Sequence, residues 1–264
     1  MLRGIKILGI VLILNGMNVS AQTIEAPASN MEAGIFTSDV VLEIFHPDAD
    51  VQIYYTLNGD DPTTGDYLYT GPITLSNRDG DPNSYSTIPT NPSFSFPHGN
   101  YTESRANNRG WLEPLDEVYK INVVRFRAFK PGYAPSEIVT QSFMIDPAGA
   151  TKYSFPVVSI VIDSMKIFSD EEGYYVFGDL DDPPGNYEWK GSEWERMTHF
   201  EIFEPDGSLG YSQYSRSRMH GGGSRQSTKK SFRLYGETDP NKNFKYDFFE
   251  NSELNKFKRI LAKS

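Results

Sequence analysis

The sequence predicts a mainly β protein in two parts, a small antiparallel sandwich followed by a second β-rich unit. Three observations carry this. The chain holds 16 Tyr and 17 Phe among 264 residues, an enrichment in side chains that suit a pleated, half-buried surface. Short β-branched and aromatic runs alternate with period two and are separated by turn chemistry such as Asn58-Gly59, Asp61-Pro62 and Pro131-Gly132. At Asp146-Pro147-Ala148-Gly149-Ala150-Thr151-Lys152 a helix-disfavouring proline meets small residues, which marks a boundary. With 38% hydrophobic and 23% charged residues the chain is neither disordered nor collagen-like. Its length suits about two domains.

The first element is a secretion signal over 1–21. Arg3 and Lys6 form a basic start, 7–14 is an apolar run broken only by Gly9, and Val19-Ser20-Ala21 ends in the small-x-small pattern of a cleavage site. The mature chain is expected to begin near Gln22. A membrane anchor does not fit, because spanning takes about 20 apolar residues and Asn15 interrupts the run. No later stretch is long and apolar enough to span either. The chain has no cysteine, so disulfides, Cys-held zinc and a thiol nucleophile drop out together. Export without cysteine suits a bacterial envelope or secreted protein.

Charge is uneven along the mature sequence. Residues 22–150 carry 17 acidic and 7 basic side chains and residues 151–215 carry 13 and 4, whereas residues 216–264 carry 5 and 12. The net charge of −10 argues against a nucleic-acid footprint over the whole surface, and the basic end is a different surface from the rest.

From 22 to 146 the strands are expected at 40–45, 51–57, 72–75, 121–129 and 138–145, with turns at 58–62 and 130–133, which sum to a small sandwich. The motifs Ile53-Tyr54-Tyr55-Thr56-Leu57-Asn58-Gly59-Asp60-Asp61-Pro62-Thr63, Tyr69-Thr70-Gly71-Pro72-Ile73 and Arg127-Ala128-Phe129-Lys130-Pro131-Gly132-Tyr133-Ala134-Pro135-Ser136 resemble the chitobiase/β-hexosaminidase C-terminal domain. The resemblance covers about 30–146 and implies an immunoglobulin-like β-sandwich. This chain departs from the short form by a polar insertion at about 77–118 that contains Trp111. Exposed Tyr54, Tyr55, Tyr69 and Trp111 would be the sugar contacts if the unit binds a polysaccharide. Since Tyr54 and Tyr55 are adjacent on one strand, at least one of them belongs to the core, and a spacer role is the alternative.

After a linker at 147–153, the second unit spans 154–264. It opens with an apolar strand at 155–163, continues through a polar loop at 186–196, and forms a hairpin in which Pro205-Asp206-Gly207 turns the alternating strand 198–204 into the next one. The sharpest constellation follows. On a strand Arg216, Arg218 and His220 share one face. Gly221, Gly222 and Gly223 then permit backbone conformations closed to other residues, and Ser224, Lys229 and Lys230 follow. Backbone donors flanked by cations suit a phosphate. The pattern is neither a Walker loop nor G-x-G-x-x-G, and a plain hairpin with a solvated basic rim accounts for the residues equally.

The series Phe155-Pro156-Val157-Val158-Ser159, Glu172-Gly173-Tyr174-Tyr175-Val176, Asn186-Tyr187-Glu188, Trp194-Glu195-Arg196, His199-Phe200-Glu201, His220-Gly221-Gly222-Gly223-Ser224-Arg225, Lys229-Lys230-Ser231-Phe232-Arg233-Leu234-Tyr235 and Phe257-Lys258-Arg259 resembles the start of the spore coat CotH family. The resemblance implies the β-rich N-terminal portion of an α+β kinase-like domain, in an atypical secreted kinase that uses ATP with Mg²⁺ or Mn²⁺ to phosphorylate Ser on extracellular or coat proteins. It also implies that Arg218, His220, Gly221, Gly222, Gly223, Ser224, Lys229 and Lys230 contact the nucleotide phosphates. The family's metal-binding and catalytic carboxylates come after the segment resembling 257–261, so no catalytic aspartate is assigned and the chain reads as an inactive N-terminal fragment. A non-catalytic adhesion or carbohydrate-binding protein is the competing class.

Other constellations carry less. Glu193 and Glu195 flank Trp194 on one element, whereas a glycosidase pair comes from different elements across a cleft. Asp179, Asp181 and Asp182 lack EF-hand spacing, the histidines at 46, 98, 199 and 220 lack zinc-ligand spacing, and no G-x-S-x-G elbow is present.

Overall fold

The computed structural model describes residues 22–91, 111, 113–178, 185–236, 242–249 and 252–263. The expected signal segment at 1–21, much of the insertion (92–110 and 112), His98 and the Asp179–Asp182 group lie outside them.

The first unit contains β1 (Ala28–Ser29), β2 (Gly34–Phe36), β3 (Val40–Leu42), β4 (Ile44–Phe45), β5 (Gln52–Thr56), β6 (Tyr67–Leu68), β7 (Ile73–Leu75), β8 (Asn122–Phe129) and β9 (Val139–Ile145). Strands lie within all five expected runs, although 40–45 divides into β3 and β4, which join different pairs, and β1, β2 and β6 lie outside those runs. One sheet has the order β2-β9-β8-β5-β6, with β2 parallel to β9 and the other pairs antiparallel; β3-β7 and β1-β4 form separate pairs. On β3, Val40 and Leu42 turn inward while Val41 is half exposed, the alternation of a sheet with one wet face. The core gathers Leu42, Val124, Phe126 and Phe143, all fully buried, with Ile44, Ile53, Ile73 and Leu75. This is the immunoglobulin-like sandwich the sequence predicts.

The second unit contains β10 (Val157–Val161), α1 (Ser164–Phe168), β11 (Arg196–Phe203), β12 (Leu209–His220), β13 (Ser231–Gly236), β14 (Phe244–Lys245), β15 (Lys256–Phe257) and β16 (Arg259–Ala262). Its main sheet is antiparallel with the order β10-β11-β12-β13-β16. Gly207, at φ +90, closes the β11–β12 hairpin at Pro205-Asp206-Gly207 as expected; its amide bonds to the Glu204 carbonyl at 2.8 Å. Helix α1 is capped by Asp163, whose carboxylate accepts from the Met165 amide.

The connection between the units contains a turn and an ion pair. Gly149–Lys152 is a 3-10 turn, and Lys152 folds back onto Asp146. The units share a seam built from both. Ala33, Met144 and Phe203 form one apolar cluster, the Ile35 amide bonds to the Gly207 carbonyl at 3.0 Å, and the hydroxyls of Ser142 and Ser159 meet at 2.9 Å. The Tyr214 hydroxyl donates to the Ile138 carbonyl at 2.6 Å and lies 2.8 Å from the Thr140 hydroxyl. Replacing Tyr214 by Phe is expected to cost about 1–3 kcal/mol, because the Ile138 carbonyl loses a donor and the Thr140 hydroxyl loses an acceptor. Urea unfolding of the variant measures it. Among the described residues no helix is long and apolar enough to cross a membrane.

Candidate functional site

The site is best built from β12. Ser215, Ser217 and Met219 point into the second unit, where the Ser217 hydroxyl bonds to the buried Tyr174 at 2.6 Å, so Arg216, Arg218 and His220 take the other face. Register then adds residues from neighbouring strands. Arg218 pairs with Arg233 and Arg216 with Tyr235 on β13, while Arg259 of β16 pairs with Tyr235. The guanidinium carbons of Arg218 and Arg259 lie 5.6 and 5.5 Å from the centre of the Tyr235 ring. Arg233 Nη2 donates to His220 Nδ1 at 2.8 Å, which fixes the imidazole as the neutral, Nε2-protonated form. Burial, and then the charges of Arg233, Lys263, Arg225 and Arg218, hold the His220 pKa below its ordinary value.

This is a concentration of like charge. Among the described residues no carboxylate ion-pairs with Arg218, Arg233, Arg259 or Lys263. The Tyr235 hydroxyl, in their midst, is shielded from solvent and has no hydrogen-bond partner. Such a cluster favours a bound anion, which would stabilise every cation in it and raise the His220 pKa.

The connection from β12 to β13 lies at the end of this face. Gly221 has φ +124, and a Cβ there would come within 2.2 Å of the Ser224 hydroxyl, so glycine is required. Gly222 faces open space, and Gly223 begins a 3-10 turn to Gln226. Ser224 and Lys229 are exposed. Arg225 is buried: its Nη2 pairs with the Glu188 carboxylate at 3.0 Å and its Nη1 donates to the Glu188 carbonyl at 2.7 Å.

Lys230 departs from the expected arrangement of two lysines beside an open anion cradle. It is 3% exposed and donates to the carbonyls of Thr90 at 3.2 Å and Ser227 at 3.0 Å and to the side-chain oxygen of Asn91. The ring centres of Tyr175 and Tyr187 lie 4.9 and 4.5 Å from its nitrogen. Burial pushes its pKa down to about 7. The reason is steric: consecutive residues on an extended chain point opposite ways, so of Lys229 and Lys230 only one can face the open side.

Sequence reasoning found Arg218, His220 and the glycines but not Tyr235, Arg233 or Arg259 as their companions. Nor did it single out the stack of Trp189 and Trp194, with centres 6.0 Å apart and planes at 9°, beside the same connection. Arg218 Nη1 holds that loop through the Gly191 carbonyl at 3.3 Å. Of the aromatic residues considered for sugar contact, Tyr55 and Tyr69 pack on the sandwich core and Tyr54 lies edge-on against Phe129, whereas Tyr67, not considered, is 64% exposed.

A nucleophilic serine does not fit. Ser212, His199 and Glu201 approach one another, but both contacts fall on His199 Nε2, at 3.1 and 3.6 Å, and Nδ1 has no partner, so the imidazole cannot relay a proton from the serine to the acid. Among the described residues no group of three His, Cys, Asp or Glu side chains comes together as a metal-ion cluster.

Residues 42–143 match the Fn3 associated family. The match runs from the end of β3 through most of β9 and takes in the insertion. No curated protein and no solved structure matches the chain. The glycine connection and its cations lie outside the Fn3-associated segment, yet Thr90 and Asn91, which hold Lys230, lie inside it.

Proposed function

We propose that this is an exported bacterial protein whose second unit is CotH-like and binds the phosphates of a nucleotide through the basic face and glycine connection of β12–β13. Its sandwich, in this reading of chitobiase type, carries and positions that unit. The single observation behind the proposal is the set of cations, Arg218, Arg233, Arg259 and Lys263, gathered around Tyr235 and His220 with no carboxylate pairing among the described residues. Phosphate oxygens are the strongest partners available to such a set. Ser224, Lys229 and the backbone of Gly221, Gly222 and Gly223 extend it with exposed donors at one end. Kinase activity toward Ser of extracellular or coat proteins is what the CotH resemblance implies, and the first step that the basic face supports is binding ATP.

Isothermal titration of the full chain with ATP tests it. Changing Arg218 and Lys229 together to Ala is expected to weaken binding by about 10–100-fold, since each removes a charge-assisted contact. Unaltered affinity would refute the nucleotide reading. A polysaccharide-binding surface is the second reading, favoured by the 46% exposure of Trp189 and the 64% exposure of Tyr67, and sedimentation with insoluble polysaccharide distinguishes it.

A further inference from the structure

A lysine ammonium has three protons to donate, and in Lys230 each has a taker: the Thr90 carbonyl, the Asn91 side-chain oxygen and the Ser227 carbonyl. Two of these acceptors come from the Fn3-associated segment, across 140 and 139 residues of sequence. Asn91 grips the glycine connection a second time, donating from Nδ2 to the Gln226 carbonyl at 2.6 Å. The same insertion is anchored again at Tyr85, which stacks on Phe168 with ring centres 5.6 Å apart. Phe168 in turn meets edge-on Tyr175, the ring beneath Lys230.

We propose that Thr90 and Asn91 form an autoinhibitory clamp that withholds Lys230 from an anionic ligand of the β12–β13 connection. The sandwich then regulates the site it carries. The inference rests on the phosphate-binding reading above. With all three donors occupied, Lys230 has none to offer a phosphate in the clamped form. Its present partners, however, are neutral dipoles and ring faces, which a multiply charged phosphate displaces because charge-assisted bonds are about twice as strong. The depressed pKa of the buried amine agrees with this, since an approaching anion would restore the charge that burial disfavours.

Two substitutions at Asn91 in the full chain test the clamp. Asn91→Ala removes one acceptor and the grip on Gln226; Asn91→Asp replaces the acceptor with a carboxylate that holds the ammonium harder. Labelling with an amine-reactive ester, read by peptide mass spectrometry with Lys229 as reference, reports the exposure of Lys230. Calorimetry with tripolyphosphate reports the anion. Asn91→Ala is expected to speed Lys230 labelling and tighten tripolyphosphate binding by about tenfold each, and Asn91→Asp to move both the other way. A merely structural contact would not give opposite signs for two variants of nearly equal size. Unchanged labelling in Asn91→Ala overturns the clamp and leaves the phosphate reading standing. Faster labelling with unchanged tripolyphosphate affinity also overturns the autoinhibition, because a released Lys230 then does nothing for the anion; only absence of tripolyphosphate binding by the unaltered chain overturns the phosphate reading itself.

Discussion

Phe126→Ala is expected to destabilise the protein by about 3–5 kcal/mol, a large share of the roughly 5–15 kcal/mol that holds a domain folded. Phe126 is fully buried on β8, the strand between β5 and β9, and its cross-strand neighbours are Tyr55 and Val139. The aromatic ring packs within the cluster of Leu42, Val124 and Phe143, where the backbone is pinned by ladders on both sides and cannot collapse into the space a methyl would leave. The cost therefore includes an unfilled cavity as well as lost transfer energy. Urea unfolding followed by intrinsic fluorescence measures it, with Val41→Ala as the control: Val41 is half exposed on β3 and its loss should shift stability by under about 0.5 kcal/mol. Equal effects of the two substitutions would contradict the core described for the sandwich.

Arg225→Met is expected to be nearly as damaging, by about 3–5 kcal/mol, for an electrostatic reason. The guanidinium is 5% exposed and the Glu188 carboxylate 13%, so removing the arginine strands a negative charge in a poorly solvated place and frees the Glu188 carbonyl as well. The pair also joins two 3-10 turns, Asn186–Glu188 and Gly223–Gln226, so local opening of the glycine connection should precede global unfolding. Amide hydrogen exchange at 221–228 checks the local part. The double variant Arg225→Met with Glu188→Gln separates the two costs: recovery of most of the lost stability assigns the damage to the stranded charge, and no recovery assigns it to packing.

What could be read in advance was what depends on near neighbours. The strands of the sandwich, the turn at Pro205-Asp206-Gly207 and the shared face of Arg216, Arg218 and His220 all follow from a period of two and from turn residues. What could not be read depends on pairing across long stretches of chain. Arg259 reaches Tyr235 only because β16 adds to the edge of β13, and nothing local to 256–263 states that partner. Lys230 is buried because Thr90 and Asn91 arrive from the other unit; in the sequence it is indistinguishable from exposed Lys229. The 3-10 turn at Gly149–Lys152, with Lys152 paired to Asp146, was likewise not legible, since small residues permit a tight turn as readily as an extended segment.

The seam between the two sheets bears on how such a protein can be recombined. Phe203 and Met144 are almost entirely buried in one cluster drawn from both units, beside the paired hydroxyls of Ser142 and Ser159. Neither half is a bead that can be cut out and threaded into another gene unaltered. A transplanted half would carry a raw apolar scar flanked by hydroxyls looking for partners, and any successful graft must bring its own cover for that wound.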